Sequence, residues 1–356
     1  MFSPELVQRL AQDLNRVTGT PTKQFTGRVM DAEWQKRELK QRSRHIAACL
    51  HSSIPGTYPE QIEVLRKMAK GYSGFTAILF SDFVEVYGLD HWDISIKAMQ
   101  EFTQICTAEF AVRPYFMMDF ERMVKQHQSW SGHKNEHVRR LASEGIRPRL
   151  PWGMGVPRLK KEPEAILPIL NNLINDPSEY VRRSVANNLN DISKDHPEKV
   201  LDYVSQLDLA NPHTQKLAKH ALRGLLKKGN KTALQLFGFH GHLEVKCRNL
   251  QVSHQELSIG DILSWNFDLD VKGEGKLRLE YHLYFQKASG KQTHKVFQLS
   301  EQQIKTDTQI AMSRKHAFRD LTTRKHYPGL HRLELVANGT VLEGIEFELN
   351  QGIIPT

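Results

Sequence analysis

Apolar residues recur at helical spacing along the first two thirds of this chain, and one segment shows the pattern most clearly. Within residues 176–192, Val181, Val185, Leu189 and Ile192 fall on one face of a predicted helix. The spacing is that of an amphipathic helix that packs one face into a core.

A second face of the same predicted helix is polar. Arg183, Asn187 and Asp191 follow one another four residues apart and therefore stand together. Asparagine and aspartate each cost a helix roughly 0.5 kcal/mol relative to alanine, so this composition needs a reason. A row of guanidinium, amide and carboxylate suits a polar, charged ligand.

The pattern is repeated elsewhere in the chain. Residues 136–142 match residues 179–185, and weaker copies lie at 109–115 and 215–222. Degenerate self-similarity with a period of about 40 residues, carried on helices, is typical of HEAT-like repeats. Such repeats stack into a solenoid with a continuous core and a concave binding face.

Helix periodicity and end signals predict the positions of the individual helices. Residue 3 is a serine that can cap a helix, and Pro4 follows at the first helical position. The predicted helices cover residues 4–17, 31–51, 59–70, 75–86, 93–106, 108–126, 134–144, 163–175, 179–193, 197–207, 213–228 and 232–237.

The pattern of apolar and polar residues changes after residue 237. Residues 262–271, 277–285, 331–336 and 345–349 alternate apolar and polar side chains with the period of a β-strand. Turn residues separate them at 272–275, 289–290 and 338–339, the last an Asn-Gly hairpin signal. About seven short strands in about 110 residues predict an immunoglobulin-type β-sandwich. We expect Trp265 in its core.

Length and composition agree with two domains, predicted as residues 1–237 and 238–356. The chain has 356 residues, 39% of them hydrophobic, and contains no apolar run of membrane-spanning length or signal-peptide pattern. Cys49, Cys106 and Cys247 are scattered, which favours a reduced, cytosolic protein. No CxxC or HExxH spacing is present, so we predict no metal site and no cofactor.

Positive charge is concentrated in the helical part. Residues 1–237 contain 34 Lys and Arg against 26 Asp and Glu, whereas the remainder contains 15 against 14. A basic solenoid favours a polyanionic partner such as nucleic acid. Mildly basic proteins are common, however, so composition alone leaves the partner open.

Placement of the basic residues sharpens that expectation. Four of them share one face of the predicted helix 213–228, where each could neutralise a phosphate, and two more lie in the loop after residue 144. The alternative is an ordinary solvated face. The candidate phosphate contacts are Lys216, Lys219, Arg223, Lys227, Arg147 and Arg149.

Three segments carry a specific family resemblance. Residues 140–153 (RLASEGIRPRLPWG) and 176–192 (DPSEYVRRSVANNLNDI) resemble the AlkC family of DNA alkylation-repair glycosylases. Residues 321–329 (LTTRKHYPG) and the predicted sandwich resemble its immunoglobulin-bearing members. The resemblance implies a HEAT-like solenoid that excises N3-methylated bases, chiefly 3-methyladenine with 3-methylcytosine as a further possibility, from bent DNA without fully flipping the lesion.

The expected chemistry assigns roles to carboxylates. An N3-methylated adenine is cationic and already a good leaving group, while bond cleavage builds oxocarbenium character on the deoxyribose. A carboxylate beside that sugar can stabilise the cation and orient a water. We rank Asp191 first and Glu144 second for this role. Glu109 is third, and it matches a family position near the lesion.

Each carboxylate also has a structural interpretation. Glu109 could sit in the first turn of its helix and pair with Arg113. Glu144 could pair with Arg140, although a carboxylate at a helix C-terminus is disfavoured and a broken local rule points to function. Asp191 could be a cap or a salt bridge between repeats.

Trp152 lies in a predicted loop, where it could either plug the solenoid core or form an aromatic wall against the lesion. The wall would select a charged base by cation–π attraction. We also expect Arg140 at the lesion, with Arg183 and Asn187 contacting DNA, and with both arginines as phosphate or carboxylate partners rather than catalysts.

Two other functional classes compete with a monofunctional glycosylase. A protein-interaction scaffold would leave the Arg183, Asn187 and Asp191 face unexplained. A non-catalytic binder of distorted or branched DNA would share the basic stripe, so only activity separates it from an enzyme. The expected partner is double-stranded DNA with alkylated bases, and we expect a monomer in the bacterial cytosol or nucleoid.

Overall fold

The structure is a computed structural model that describes residues 2–239, 243–320 and 325–352. It contains two compact units, one formed by Met1–Val200 and Leu207–Ala221, the other by Leu201–Gln206 and Leu222–Thr356. The first unit is helical, and the described strands all lie in the second. A helical region followed by a β-sandwich is therefore confirmed, whereas the domain boundary after residue 237 stays a prediction. Residues 321–324, which begin the segment 321–329 quoted above, lie outside the described residues.

The described residues form sixteen α-helices. They are α1 Pro4–Thr18, α2 Thr22–Val29, α3 Leu39–Ser53, α4 Tyr58–Ala69, α5 Ile78–Tyr87, α6 Trp92–Phe102, α7 Val112–Met118, α8 Phe120–Ser131, α9 Glu136–Glu144, α10 Pro157–Lys161, α11 Leu167–Leu173, α12 Glu179–Ile192, α13 Pro197–Ser205, α14 Pro212–Ala221, α15 Arg223–Lys227 and α16 Lys231–Leu236. Every helix within the described ranges is too short or too polar to cross a lipid bilayer.

Helix α12 illustrates how the repeats stack. Val181, Val185 and Leu189 are fully buried, as their spacing predicts. The helix packs against α9 on one side and α14 on the other, and α9 packs in turn against α8. Each helix therefore buries its apolar stripe against neighbours in adjacent repeats, which is how a helical array gains a continuous core.

Helix ends follow local capping chemistry. The Ser3 hydroxyl accepts a hydrogen bond from the Leu6 N–H at 3.4 Å, with Pro4 at the first helical position, as predicted. The helix expected at 31–51 begins only at Leu39, because Glu38 forms a capping box with Gln41. The bounds of α2 and α10, both short, were not predicted.

Two predicted helices are interrupted. The helix expected at 108–126 is two, since Asp119 leaves the helical conformation and accepts from the Arg122 N–H at 3.0 Å to begin α8. The helix expected at 213–228 ends at Ala221 and α15 starts after Leu222, a buried residue at φ −91° and ψ 8°. The predicted four-residue basic row is therefore not on one helix.

Eight strands follow in the described part of the chain. They are β1 Glu244–Val252, β2 Glu256–Ser258, β3 Ile262–Lys272, β4 Gly275–Gln286, β5 Gln292–Ile304, β6 Thr308–Ala317, β7 Gly329–Ala337 and β8 Thr340–Asn350. They form a three-stranded sheet of order β1-β3-β6 and a five-stranded sheet of order β2-β8-β7-β4-β5. The pairs β1–β3, β3–β6, β4–β5, β4–β7 and β7–β8 are antiparallel.

The sandwich core comes from the alternation read in the sequence. Trp265 is 1% exposed and stacks on Phe267 with ring centroids 5.4 Å apart, which confirms it as a core residue. Asn338 and Gly339 have φ of 45° and 78°, the backbone of a type I′ turn between β7 and β8. The predicted hairpin is therefore confirmed.

Candidate functional site

A cleft of about 510 Å³ opens in the helical unit, where α9, α12 and the loops around them meet. The loop before α7, the α9 helix and the loop that follows α9 supply its charged wall. Its charged lining residues are Glu109, Arg140, Glu144 and Arg147, and its aromatic lining residues are Phe75, Phe110, Trp152 and Tyr180. Four of the residues singled out from the sequence as catalytic or lesion-contacting are thus brought together.

Glu109 occupies the cleft wall through an ion pair that the sequence did not predict. Its Oε2 accepts hydrogen bonds from Arg140 Nη1 at 2.6 Å and from the Thr107 hydroxyl at 2.8 Å. The expectation of a first-turn carboxylate paired with Arg113 is wrong, because α7 begins only at Val112. Arg113 instead binds main-chain carbonyls.

Glu144 is the last residue of α9, as its position before Gly145 predicted. It is 5% exposed, and its Oε1 accepts from Arg147 Nη1 at 2.7 Å while its Oε2 accepts from the Ser184 hydroxyl at 2.6 Å. Arg140 Nη2 is farther, at 3.5 Å. The carboxylate is thus held from α12 and from the loop after α9, while it still lines the cleft.

Asp191 does not line the cleft itself. It is 1% exposed, and its Oδ2 accepts from Arg147 Nε at 2.9 Å while its Oδ1 accepts from Lys194 Nζ at 3.1 Å. Since Arg147 does line the cleft, Asp191 contacts the site through that guanidinium. The ion pair also ties α12 to the loop after α9, which is the repeat-to-repeat bridge offered as the structural alternative.

The predicted polar row on α12 is consequently not one exposed face. Arg183 is exposed, with Nη2 3.6 Å from Glu179 Oε1, and Asn187 Oδ1 lies 2.8 Å from His220 Nε2. Asp191 at the end of the row is buried. The row diverges because four residues rotate by about 400° in an α-helix, so each successive member lies about 40° further round the helix than the one before.

Electrostatics in the cleft are balanced. Burial opposes the charge of Arg140, but the Glu144 and Glu109 carboxylates outweigh it and hold the pKa of Arg140 above its ordinary value. Burial opposes the charge of Arg147 too, and Glu144 and Asp191 again raise its pKa. The network comprises three carboxylates and three cations: Glu109, Glu144, Asp191, Arg140, Arg147 and Lys194.

Trp152 stands at the mouth of the cleft. It is 72% exposed, so the interpretation that it plugs the solenoid core is wrong. Its backbone has φ 62°, a left-handed conformation that a bulky residue rarely adopts and that is found more often at functional sites than elsewhere. Lys40 donates to the Trp152 carbonyl at 3.3 Å and places its ammonium 4.0 Å from the Phe110 ring centre.

Sequence reasoning missed several cleft residues. Tyr180 lies under the Arg140 guanidinium, 5.2 Å from ring centre to Cζ, and burial raises its pKa. Thr107 both accepts from Arg140 at 2.9 Å and donates to Glu109. A signal for Tyr180 was present, because it is a large aromatic residue that lies outside the apolar stripe of α12.

The candidate DNA contacts lie in varied surroundings. Arg147 is 8% exposed within the ion-pair network, so its guanidinium is committed to carboxylates. Arg149 pairs with Asp195 at 2.6 Å and Lys216 with Glu179 at 2.8 Å, both near the surface. Lys219 is on α14, whereas Arg223 and Lys227 are on α15. No group of three or more His, Cys, Asp or Glu within the described ranges is arranged to hold a metal ion.

Comparison with known proteins identifies the family. Residues 96–228 match the family model described as DNA alkylation repair enzyme, and residues 246–351 match the C-terminal Ig-like domain of the uncharacterised protein YhaZ. The uncharacterized protein YhaZ of Bacillus subtilis (strain 168) is 46% identical over 317 residues, 89% of each chain. The structure of Pseudomonas fluorescens alkylpurine DNA glycosylase AlkC, bound to DNA containing an abasic site analog, superposes with a TM-score of 0.95 at 39% identity, covering 98% of both chains.

This chain belongs to the AlkC family. The match covers 98% of the chain and includes both the helical unit and the sandwich. The protein is an AlkC-like DNA alkylation-repair glycosylase, and the immunoglobulin-like identity of its C-terminal domain is confirmed.

Proposed function

We propose that this protein hydrolyses the glycosidic bond of cationic N3-methylated bases in duplex DNA. The proposed main substrate is 3-methyladenine, with 3-methylcytosine as a second candidate. The observation that carries the proposal is the cleft itself, in which Glu109 and Glu144 face the same space as an exposed Trp152. Carboxylates and an aromatic face are complementary to a cationic base and to the oxocarbenium ion that forms as it leaves.

The two cleft carboxylates are suited to the chemical step, and Glu109 is the better placed to orient a water. Both hydrogen bonds that Glu109 receives from other described residues reach Oε2, so Oε1 can accept from a water. Glu144 uses both oxygens on Arg147 and Ser184 and supplies negative charge rather than a free acceptor. Asp191 is a positioning residue in this scheme, because it acts through Arg147.

Leaving-group activation needs no acid in this mechanism. The methylated base carries its positive charge before cleavage, and departure as a neutral base removes it. The nucleophile is water, which adds its oxygen to the sugar carbon as the bond to the base breaks and gives up one proton to Glu109 and then to solvent. The products are the neutral free base and an abasic site. No lysine is required as a covalent nucleophile, which is why a monofunctional hydrolase is proposed.

DNA binding is the step that brings the lesion to the cleft. The similar glycosylase from Pseudomonas fluorescens was captured on DNA with an abasic site analog, which supports the same class of ligand here. Arg149, Arg183, Asn187 and Lys216 are proposed phosphate contacts on the helical unit. The ion pairs that Arg149, Arg183 and Lys216 form with nearby acids would exchange for phosphate, so binding should weaken steeply with salt.

The proposal is tested by incubating the protein with methylated duplex DNA and separating released bases by chromatography. Release of 3-methyladenine is expected, falling about a hundredfold or more in Glu109→Gln. Glu101→Gln is the matched control, because Glu101 pairs with Arg66 away from the cleft. Asp191→Asn is expected to lose activity while DNA affinity is retained.

Absence of release from a folded protein that still binds the duplex would contradict the proposal. It would favour the non-catalytic binder of distorted DNA. Equal loss in Glu109→Gln and in Glu101→Gln would contradict only the assignment of Glu109.

A further inference from the structure

Arg113 is a buried charge whose partners are all neutral. It is the second residue of α7 and is 1% exposed, yet within residues 2–239, 243–320 and 325–352 it forms no ion pair with a carboxylate. Its Nη1 donates to the carbonyls of Gly145 and Arg147, each at 2.9 Å, and its Nε donates to the Met154 carbonyl at 2.8 Å. Burying a cation without a counter-ion costs free energy, so the hydrogen bonds of Arg113 to these three carbonyls need a functional reason.

The three carbonyls flank the loop that carries the site. Gly145 and Arg147 lie at its start, Met154 lies at its end, and Trp152 lies between them. One planar guanidinium therefore ties both ends of the loop to α7. The left-handed backbone of Trp152 needs such restraint, since strained conformations persist only where surroundings over-determine them.

The same contacts explain how α9 tolerates a carboxylate at its end. Glu144 is the last residue of α9, where unpaired carbonyls already carry partial negative charge. Arg113 donates to the Gly145 carbonyl immediately beyond it, which adds positive charge at that terminus. Burial lowers the pKa of Arg113 to about 10, so the guanidinium remains charged at neutral pH.

We propose that Arg113 is a positioning residue for base excision: it fixes the loop that presents Trp152 to the lesion and Arg147 to the Glu144 and Asp191 carboxylates. The inference rests on the proposed glycosylase function. It names Arg113 as the residue that sets the geometry of the proposed active site. A side chain that never touches DNA would thereby control the rate of the chemical step, because displacement of about 1 Å at a reacting centre can cost about a hundredfold.

The test compares Arg113→Met and Arg113→Lys with Arg139→Met in the full-length protein. Arg139 is a control for the loss of a buried arginine because it also donates to two carbonyls, those of His133 and Lys134, and pairs with Asp176 at 2.6 Å, but does not line the cleft. Each variant is assayed for single-turnover release from a methylated duplex and for affinity towards the same duplex. Unfolding in denaturant reports how much of each variant is folded.

The expected result is a split between rate and affinity. Arg113→Met should lower the maximum release rate about a hundredfold per folded molecule while the dissociation constant changes less than about twofold. Arg113→Lys keeps the charge but cannot reach both ends of the loop, so it should lie between Arg113→Met and wild type. The proposal is overturned if folded Arg113→Met releases base at a rate within about threefold of wild type. If Arg113→Met does not fold, the proposal is overturned by a wild-type release rate in Arg113→Lys.

A second measurement is independent of activity. The five tryptophans are replaced with 5-fluorotryptophan, and the Trp152 resonance is assigned from its loss in Trp152→Phe. In Arg113→Met and Arg113→Lys this resonance should shift and change width while those of Trp34 and Trp130 stay in place, and Arg139→Met should leave it unchanged. If the Trp152 resonance does not move in the Arg113 variants, the positioning role is overturned, whether or not the wild-type protein releases base. If the wild-type protein releases no base, the glycosylase proposal fails separately.

Discussion

Glu144→Gln isolates the contribution of one negative charge to this site. Glutamine has the shape of glutamate, so it can still accept from Ser184 while its charge is lost. The substitution removes the ion pair with Arg147 at 2.7 Å and the longer one with Arg140 at 3.5 Å. The balanced network of three carboxylates and three cations then carries one excess positive charge.

The stability cost should be moderate. Removing one partner of a buried pair commonly costs about 3–5 kcal/mol because the other charge is left alone. Here Arg147 keeps Asp191 at 2.9 Å and Arg140 keeps Glu109 at 2.6 Å, so neither is left unpaired. A loss of about 1–3 kcal/mol in the free energy of unfolding is expected, which leaves a folded protein to assay.

The catalytic cost should be larger. Two unit charges about 4 Å apart interact by about 4 kcal/mol at an effective dielectric constant of 20. The two nearby guanidinium groups offset part of the attraction between Glu144 and the sugar cation. A net loss of about 3 kcal/mol in transition-state stabilisation corresponds to a rate about a hundredfold lower.

Single-turnover release of 3-methyladenine measures that loss, with enzyme in excess over a methylated duplex. The Glu101→Gln control should keep its rate, because its partner Arg66 lies outside the cleft. Denaturant unfolding gives the folded fraction used to scale both rates. A Glu144→Gln rate within about threefold of wild type would refute the electrostatic role of this carboxylate.

Three further predictions concern stability, and the first of them concerns activity as well. Trp152→Ala should change the free energy of unfolding by less than about 0.5 kcal/mol, because the side chain is 72% exposed. It should nevertheless lower 3-methyladenine release about tenfold, because the cation–π contact is lost. Thermal unfolding measures the stability, and the base-release assay measures the activity. Burial lowers the pKa of His127 to about 4. The unfolded chain therefore binds the proton more readily, and stability should fall by about 3 kcal/mol as pH drops from about 6.5 to about 4, a slope that His127→Gln should reduce in denaturant titrations. Gly145→Ala should destabilise the protein by about 1–3 kcal/mol in the same titrations, because a Cβ there would meet His127 Cε1 at 2.7 Å and Val112 Cγ2 at 2.8 Å; unchanged stability would show that the helix end relaxes freely.

Local patterns were sufficient where the chain follows simple periodicity. The buried stripe of α12, the capped start of α1 and the Asn338–Gly339 hairpin all appear where the sequence predicts them. Prediction failed where a short-range signal competed with the apolar pattern. Asp119 interrupts an apolar run by capping α8, and Leu222 separates α14 from α15 although both neighbours are good helix formers.

The candidate site shows the same limit in greater detail. The residue types and the motifs around Glu144 and Trp152 were enough to single out those two side chains. Their partners were not predictable, because Arg140 meets Glu109 across 31 positions of sequence and Arg147 meets Asp191 across 44. The ranking of Asp191 above Glu109 stays a prediction, because a sequence motif does not show which side chain a distant loop will cover.

The sequence by itself determined the two-part architecture, the family and the set of chemically capable residues, because periodicity, turn residues and contiguous motifs are all local properties. Tertiary packing alone decided which of those residues share the cleft, which carboxylate stays open to a ligand and which charges neutralise one another. It also placed Arg113 at three carbonyls of the loop that bears Trp152. These outcomes depend on how repeats stack, and burial makes the charge of each group depend on neighbours far away in the chain.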